Sequence, residues 1–106
     1  MIRHIVALRF RAGVSPDRKA ALYAKLAGLQ GRIDGLAGFR SFANCSVELP
    51  LVRGFNDVFW FDMRDAAVRD AYLADSEHQQ IGAEIVSELD GGAGGVFVFD
   101  LDMTAP

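Results

Sequence analysis

Residues 2 to 10 alternate in the two-residue period of a β-strand, with Ile2, His4, Val6, Leu8 and Phe10 pointing one way and Arg3, Ile5, Ala7 and Arg9 the other. Ser15 followed by Pro16 and Asp17 reads as an N-cap, a proline at the first helical position and an acid at the positive end of the helix dipole. The helix that follows carries its apolar stripe on Leu22, Tyr23, Leu26 and Leu29, with Gly31 as its stop. A glycine-spaced turn leads into a second strand, expected over Phe39 to Glu48, and Pro50 to Gly54 break the pattern. The aromatic-rich stretch from Phe55 to Met63 is the third strand. Val68, Ala71 and Tyr72 then recur at helical spacing, and Ser76 with Gln79 three residues on predicts a capping box that starts a fresh helix after a break near Asp75. Ile81, Ile85, Val86 and Leu89 form its stripe, Asp90 to Gly95 uncouple it as a flexible connection, and VFVFDLD is the last strand.

The order β-α-β-β-α-β predicts an α+β fold, a ferredoxin-like subunit with one four-stranded antiparallel sheet. Two helices cover one face of such a sheet. Yet Phe59 and Phe61 alternate with Val58 and Trp60, and Val96 and Val98 with Phe97 and Phe99, so the third and fourth strands are apolar on both faces. Pairing with an identical sheet about a two-fold axis is the simplest way to cover the second face, and a homodimer through sheet faces is therefore expected. The face bearing Ile5 and Ala7 is then the seam, and the face bearing His4 lies under the chain's own helices.

Composition sharpens this picture. With 106 residues, of which 51% are hydrophobic and 24% charged, the chain suits one globular domain, expected over 1–103 with a tail at 104–106. A domain of this size buries roughly 60 to 68% of its unfolded surface, so a partner would add stability. The net charge of −3, with 11 basic residues scattered among 14 acids, lacks the basic stripe of a nucleic-acid binder. Neither a signal peptide nor an apolar run of bilayer length is apparent, so no membrane partner and a cytoplasmic location are expected. The single Cys45, alternating with apolar neighbours, reads as a buried inert thiol. Asn44, Cys45 and Ser46 spell a glycosylation acceptor without meaning in a cytoplasmic strand. The glycine run 91–95 leaves a helix to enter a strand, the reverse of a phosphate loop.

Both histidines sit on apolar faces, and Tyr72 shares the face of Val68, so three polar rings aim at the layer between sheet and helices. Read singly, each is a hydrogen-bonded or packed core residue. His78 stands out because the first turn of a capped helix and partial burial both favour the neutral imidazole that a general base requires. Two histidines with Asp57 could also make an open metal triad, a minor alternative to the expectation of no metal and no cofactor.

The opening MIRHIVALRF with its inward His4, the RGF of Arg53 to Phe55 and AYLADSEHQ around His78 together resemble the stress-responsive A/B barrel family, often called Dabb, over nearly the whole chain. The resemblance implies a dimeric α+β barrel of two ferredoxin-like subunits. Members include uncharacterised and stress-associated proteins and a plant branch that looks like polyketide cyclases, closing a linear polyketone by aldol condensation. By that resemblance His78 and Tyr72 are the catalytic candidates, with His78 abstracting a proton next to a carbonyl and Tyr72 hydrogen-bonding the enolate oxygen. His4, Tyr23 and Asp57 are expected to line the pocket around a small, mostly apolar carbonyl compound. Two positions depart from the family: Asn56 and Asp57 stand where many members have Asp-His, and Asp75 and Ser76 where members often have His-Pro. The alternatives are a non-catalytic, stress-related structural dimer and a dimeric-barrel monooxygenase, the latter without a matching motif.

Overall fold

The structure, a computed structural model, describes residues 1–104, so the last two positions of the expected 104–106 tail lie outside the described residues. Strand β1 (Ile2–Leu8) leads to helix α1 (Pro16–Gly28), extended by a 3-10 turn at Leu29–Gly31. Strand β2 (Leu36–Ala43), the short helix α2 (Leu49–Val52) and β3 (Asp57–Met63) follow, then α3 (Ala66–Ala74), α4 (Ser76–Val86), a 3-10 turn at Gly92–Gly95 and β4 (Val96–Asp102). The sheet order is β2-β3-β1-β4 with every pairing antiparallel, the ferredoxin-like arrangement.

Alternation in β1 sends His4, Val6 and Leu8 into the layer beneath the helices, where all three are buried. Phe59, Phe61 and Met63 enter the same layer from β3, facing Leu22 and Leu26 of α1, Val68 and Tyr72 of α3, and Ile81 and Ile85 of α4. Phe61 is fully buried, its ring 5.1 Å from Phe39 and 5.4 Å from Tyr72. The opposite face carries Ile5, Ala7, Val58 and Trp60 in the centre, and exposes Phe42, Phe97, Phe99 and Leu101 towards its edges. At one end of that face Arg3 bonds Asp62 at 2.8 Å and lies over Trp60.

Several local expectations are corrected. β2 spans Leu36–Ala43 rather than Phe39 to Glu48. It starts early because Gly38, at a positive φ of 65° that side chains disfavour, forms a bulge, and Gln30 accepts the Phe39 N–H that the bulge frees. It ends early because the Asn44 side chain accepts the Ser46 N–H and the Ser46 hydroxyl accepts the Glu48 N–H, turning the chain out of the sheet. Cys45 lies on that turn and is exposed, not buried. β3 starts at Asp57 rather than Phe55, and α2 occupies the stretch read as a break. The N-cap of α4 is Asp75, whose carboxylate accepts the His78 N–H at 3.0 Å; Ser76 is already helical, and Gln79 donates to the Leu73 carbonyl instead of closing a box. The glycine run before β4 is held rather than loose, since Arg9 donates to the carbonyls of Asp90 and Gly94.

Candidate active site between the sheet and the helices

A cavity of about 250 Å³ opens between β1, β3 and β4 on one side and α3 and α4 on the other. His4, Tyr72 and His78 line one part of it; the rest is apolar, with Leu8, Phe59 and Ile85 among its walls. Exposed Leu73 and Val98 mark its rim. Gly82, one turn beyond His78, helps keep it open, for a Cβ there would meet nothing within 4 Å.

The break at Asp75 brings the polar rings together. Six residues of unbroken helix at about 100° each would leave Tyr72 and His78 about 120° apart. Asp75 instead adopts an extended conformation, donates its N–H to the Tyr72 carbonyl and caps α4, so that the two rings stack with centroids 3.8 Å apart. On the other side of Tyr72 the His4 ring meets it edge-on at 5.4 Å. His4 Nδ1 in turn lies 2.7 Å from the Asp100 carboxylate, to which it donates. Asp100 sits opposite His4 in the β1–β4 ladder and also lies 3.7 Å from Arg69. The sequence reading missed it; its signal was that Val96, Val98 and Asp100 share one face of the last strand.

His78 Nδ1 is buried. Burial, helped by the nearby His4 and opposed by Asp75 and by a hydrogen bond with the Tyr72 backbone, lowers the His78 pKa from its ordinary 6.5. Burial raises the pKa of Tyr72, so its hydroxyl stays a proton donor at neutral pH. The pair is thus a neutral base stacked on a protonated phenol. Because the folded pKa of His78 is depressed, the unfolded chain takes up the proton first. The stability linked to this group is full above the ordinary value and is lost as pH falls from there towards the folded value. Thermal unfolding between about pH 7 and about pH 5 should therefore cost the wild type more stability than His78→Gln; parallel curves would contradict the depressed pKa.

Two expected pocket residues lie elsewhere. Tyr23 turns to the β2–β3 half of the core, its ring 6.3 Å from both Phe39 and Phe59, because it sits about 60° around α1 from cavity-lining Leu26. Its buried hydroxyl has no hydrogen-bond partner, and burial together with Asp57 raises its pKa. Asp57 pairs with Leu8 in the ladder, four steps or roughly 13 Å along from His4, and accepts from Lys19 Nζ at 2.9 Å. The His4, His78 and Asp57 triad is accordingly not assembled, and among the described residues no group of three or more His, Cys, Asp or Glu could hold a metal ion.

The sequence profile of the stress responsive A/B barrel domain matches residues 2–103. The chain belongs to that family. Among solved structures this A/B barrel protein resembles a dimeric ferredoxin-like protein of unknown function from Jannaschia sp. CCS1, with 30% identity over 96% of this chain and 98% of that one and a TM-score of 0.85. A protein from Arabidopsis thaliana matches over 100% of this chain and 98% of its own with 24% identity and a TM-score of 0.86. A hydroxynitrile lyase from Passiflora edulis matches over 99% and 96% with 15% identity and a TM-score of 0.79. The last two show a shared fold. The dimeric relative supports a homodimer for this A/B barrel protein. No curated protein matches the chain. No helix of the described residues is long and apolar enough to cross a membrane.

Proposed function

We propose that this A/B barrel protein pairs through the outer faces of its sheets, and that each subunit binds a small, mostly apolar carbonyl compound in the cavity above His4. The His78 imidazole takes a proton from the carbon next to the carbonyl, Tyr72 donates a hydrogen bond to the oxygen as it becomes an enolate, and return of the proton restores the ketone. The observation that carries this reading is the paired rings of Tyr72 and His78, 3.8 Å apart in the wall of a mostly apolar, open cavity. A purely structural dimer would instead fill the space around His78 with side chains. A dry apolar cavity of ~150 Å³ takes up benzene, so a ligand of about ten non-hydrogen atoms suits this volume.

The test is exchange of the α-protons of 2-heptanone into deuterated water, followed by NMR. Saturable acceleration above buffer containing the same concentration of free imidazole is expected. Exchange no faster than that control would overturn the proposed chemistry.

A further inference from the structure

A second cavity, of about 280 Å³, lies on the opposite face of the sheet, away from the two imidazoles. Ala7, Val58 and Phe97 form its floor, and Leu51, Val52 and Phe55, in and just after the β2–β3 connection, form its wall. That connection exposes three large apolar side chains within five residues: Val47 is 91% exposed, Leu49 71% and Leu51 66%. It is nevertheless firmly held. Asn44 donates to the Phe55 carbonyl and its N–H to that of Asn56, Val52 is buried beneath, and Arg53 ends α2 in the left-handed region at a φ of 55°. An ordered segment that presents this much apolar surface to water is shaped for a protein partner.

We infer that segment 47–52 is an interface arm that grips a second copy of this chain, whose apolar side chains fill the cavity between arm and sheet. The inference rests on the face-to-face pairing proposed above and adds to it a named clasp. The cavity opens on the face assigned to the seam, so a partner approaching that face meets the arm. Among the residues lining the cavity, Arg53 alone is charged, which suits an apolar occupant better than an ionic ligand. The same face supplies matching apolar groups in Phe97 and Phe99, as a self-complementary two-fold interface requires, and the 30% identical relative that spans this chain is dimeric.

Sedimentation velocity across a dilution series tests this on three full-length proteins. The wild type is expected to be dimeric at micromolar concentration. The double variant Leu49→Ser/Leu51→Ser, altered only at exposed positions, is expected to dissociate with a Kd at least tenfold higher and an unchanged circular dichroism spectrum. Phe99→Asp, in the seam but outside the arm, is expected to be monomeric. Cys45, exposed beside the arm, is a built-in reporter, and its labelling by a thiol reagent should quicken as the wild-type dimer is diluted apart. If Phe99→Asp dissociates while the arm variant stays as tight as wild type, or if Cys45 labels equally fast in dimer and monomer, the arm faces some other partner and the inference falls while the seam stands. A wild type that is monomeric at tens of micromolar, or a Phe99→Asp protein that stays dimeric, would overturn the seam and the arm together.

Discussion

Alanine in place of His78 is expected to slow α-proton exchange by roughly 10²- to 10⁴-fold, the usual worth of a positioned general base. The loss should fall on kcat and leave KM nearly unchanged, because the cavity walls that hold an apolar ligand come from other residues, Leu8, Phe59 and Ile85 among them. The fold should survive. His78 is only half buried, and the cap of α4 uses its backbone N–H rather than its ring, so Asp75 can hold the helix start in the variant. Secondary structure and dimer mass measured beside the exchange rate separate a lost base from a lost fold. A His78→Ala protein within threefold of wild type would remove the imidazole from the mechanism.

The second large effect falls on stability. Phe61→Ala should lower the unfolding free energy by about 3–5 kcal/mol, since it deletes a fully buried ring and leaves a hole that rigid neighbours fill poorly. Phe61 is where the two halves of the core meet: it touches Phe39 and Phe59 on the β2 side and Tyr72 on the α3 side. A domain of this size commonly holds only about 5–15 kcal/mol in total, so the variant should melt at least about 10 °C lower. Urea unfolding at fixed protein concentration measures the difference. A loss under about 1 kcal/mol would mean that the core collapses around the gap and that Tyr72 is not held as tightly as described.

Much of this layout was legible in the chain. The alternation of β1 alone put His4, Val6 and Leu8 on one buried face, and the apolar character of both faces of β3 and β4 foretold an outer face that α1, α3 and α4 leave uncovered. Tyr72 and His78 could be paired because the helix break at Asp75 left a mark in the sequence, although the residue that makes the cap is Asp75 and not Ser76. Other features depend on long-range placement. Asp100 meets His4 across 96 residues of sequence, and a strand apolar on both faces gives no sign of which neighbour Asp100 will find. Tyr23 belongs to the right stripe of α1, but periodicity cannot tell which half of the sheet a helical face covers. Cys45 was misplaced because the side-chain turn at Asn44 and Ser46 ends β2 while the apolar alternation runs on in the sequence.

The cavity lined by His4, Tyr72 and His78 is proposed to bind a small carbonyl compound, and an NMR titration of isotope-labelled protein with 2-heptanone tests this directly. Saturable shifts concentrated on His4, Tyr72, His78 and Gly82 are the expected result. An unperturbed spectrum, or shifts confined to the opposite face around Phe97 and Leu51, would contradict it.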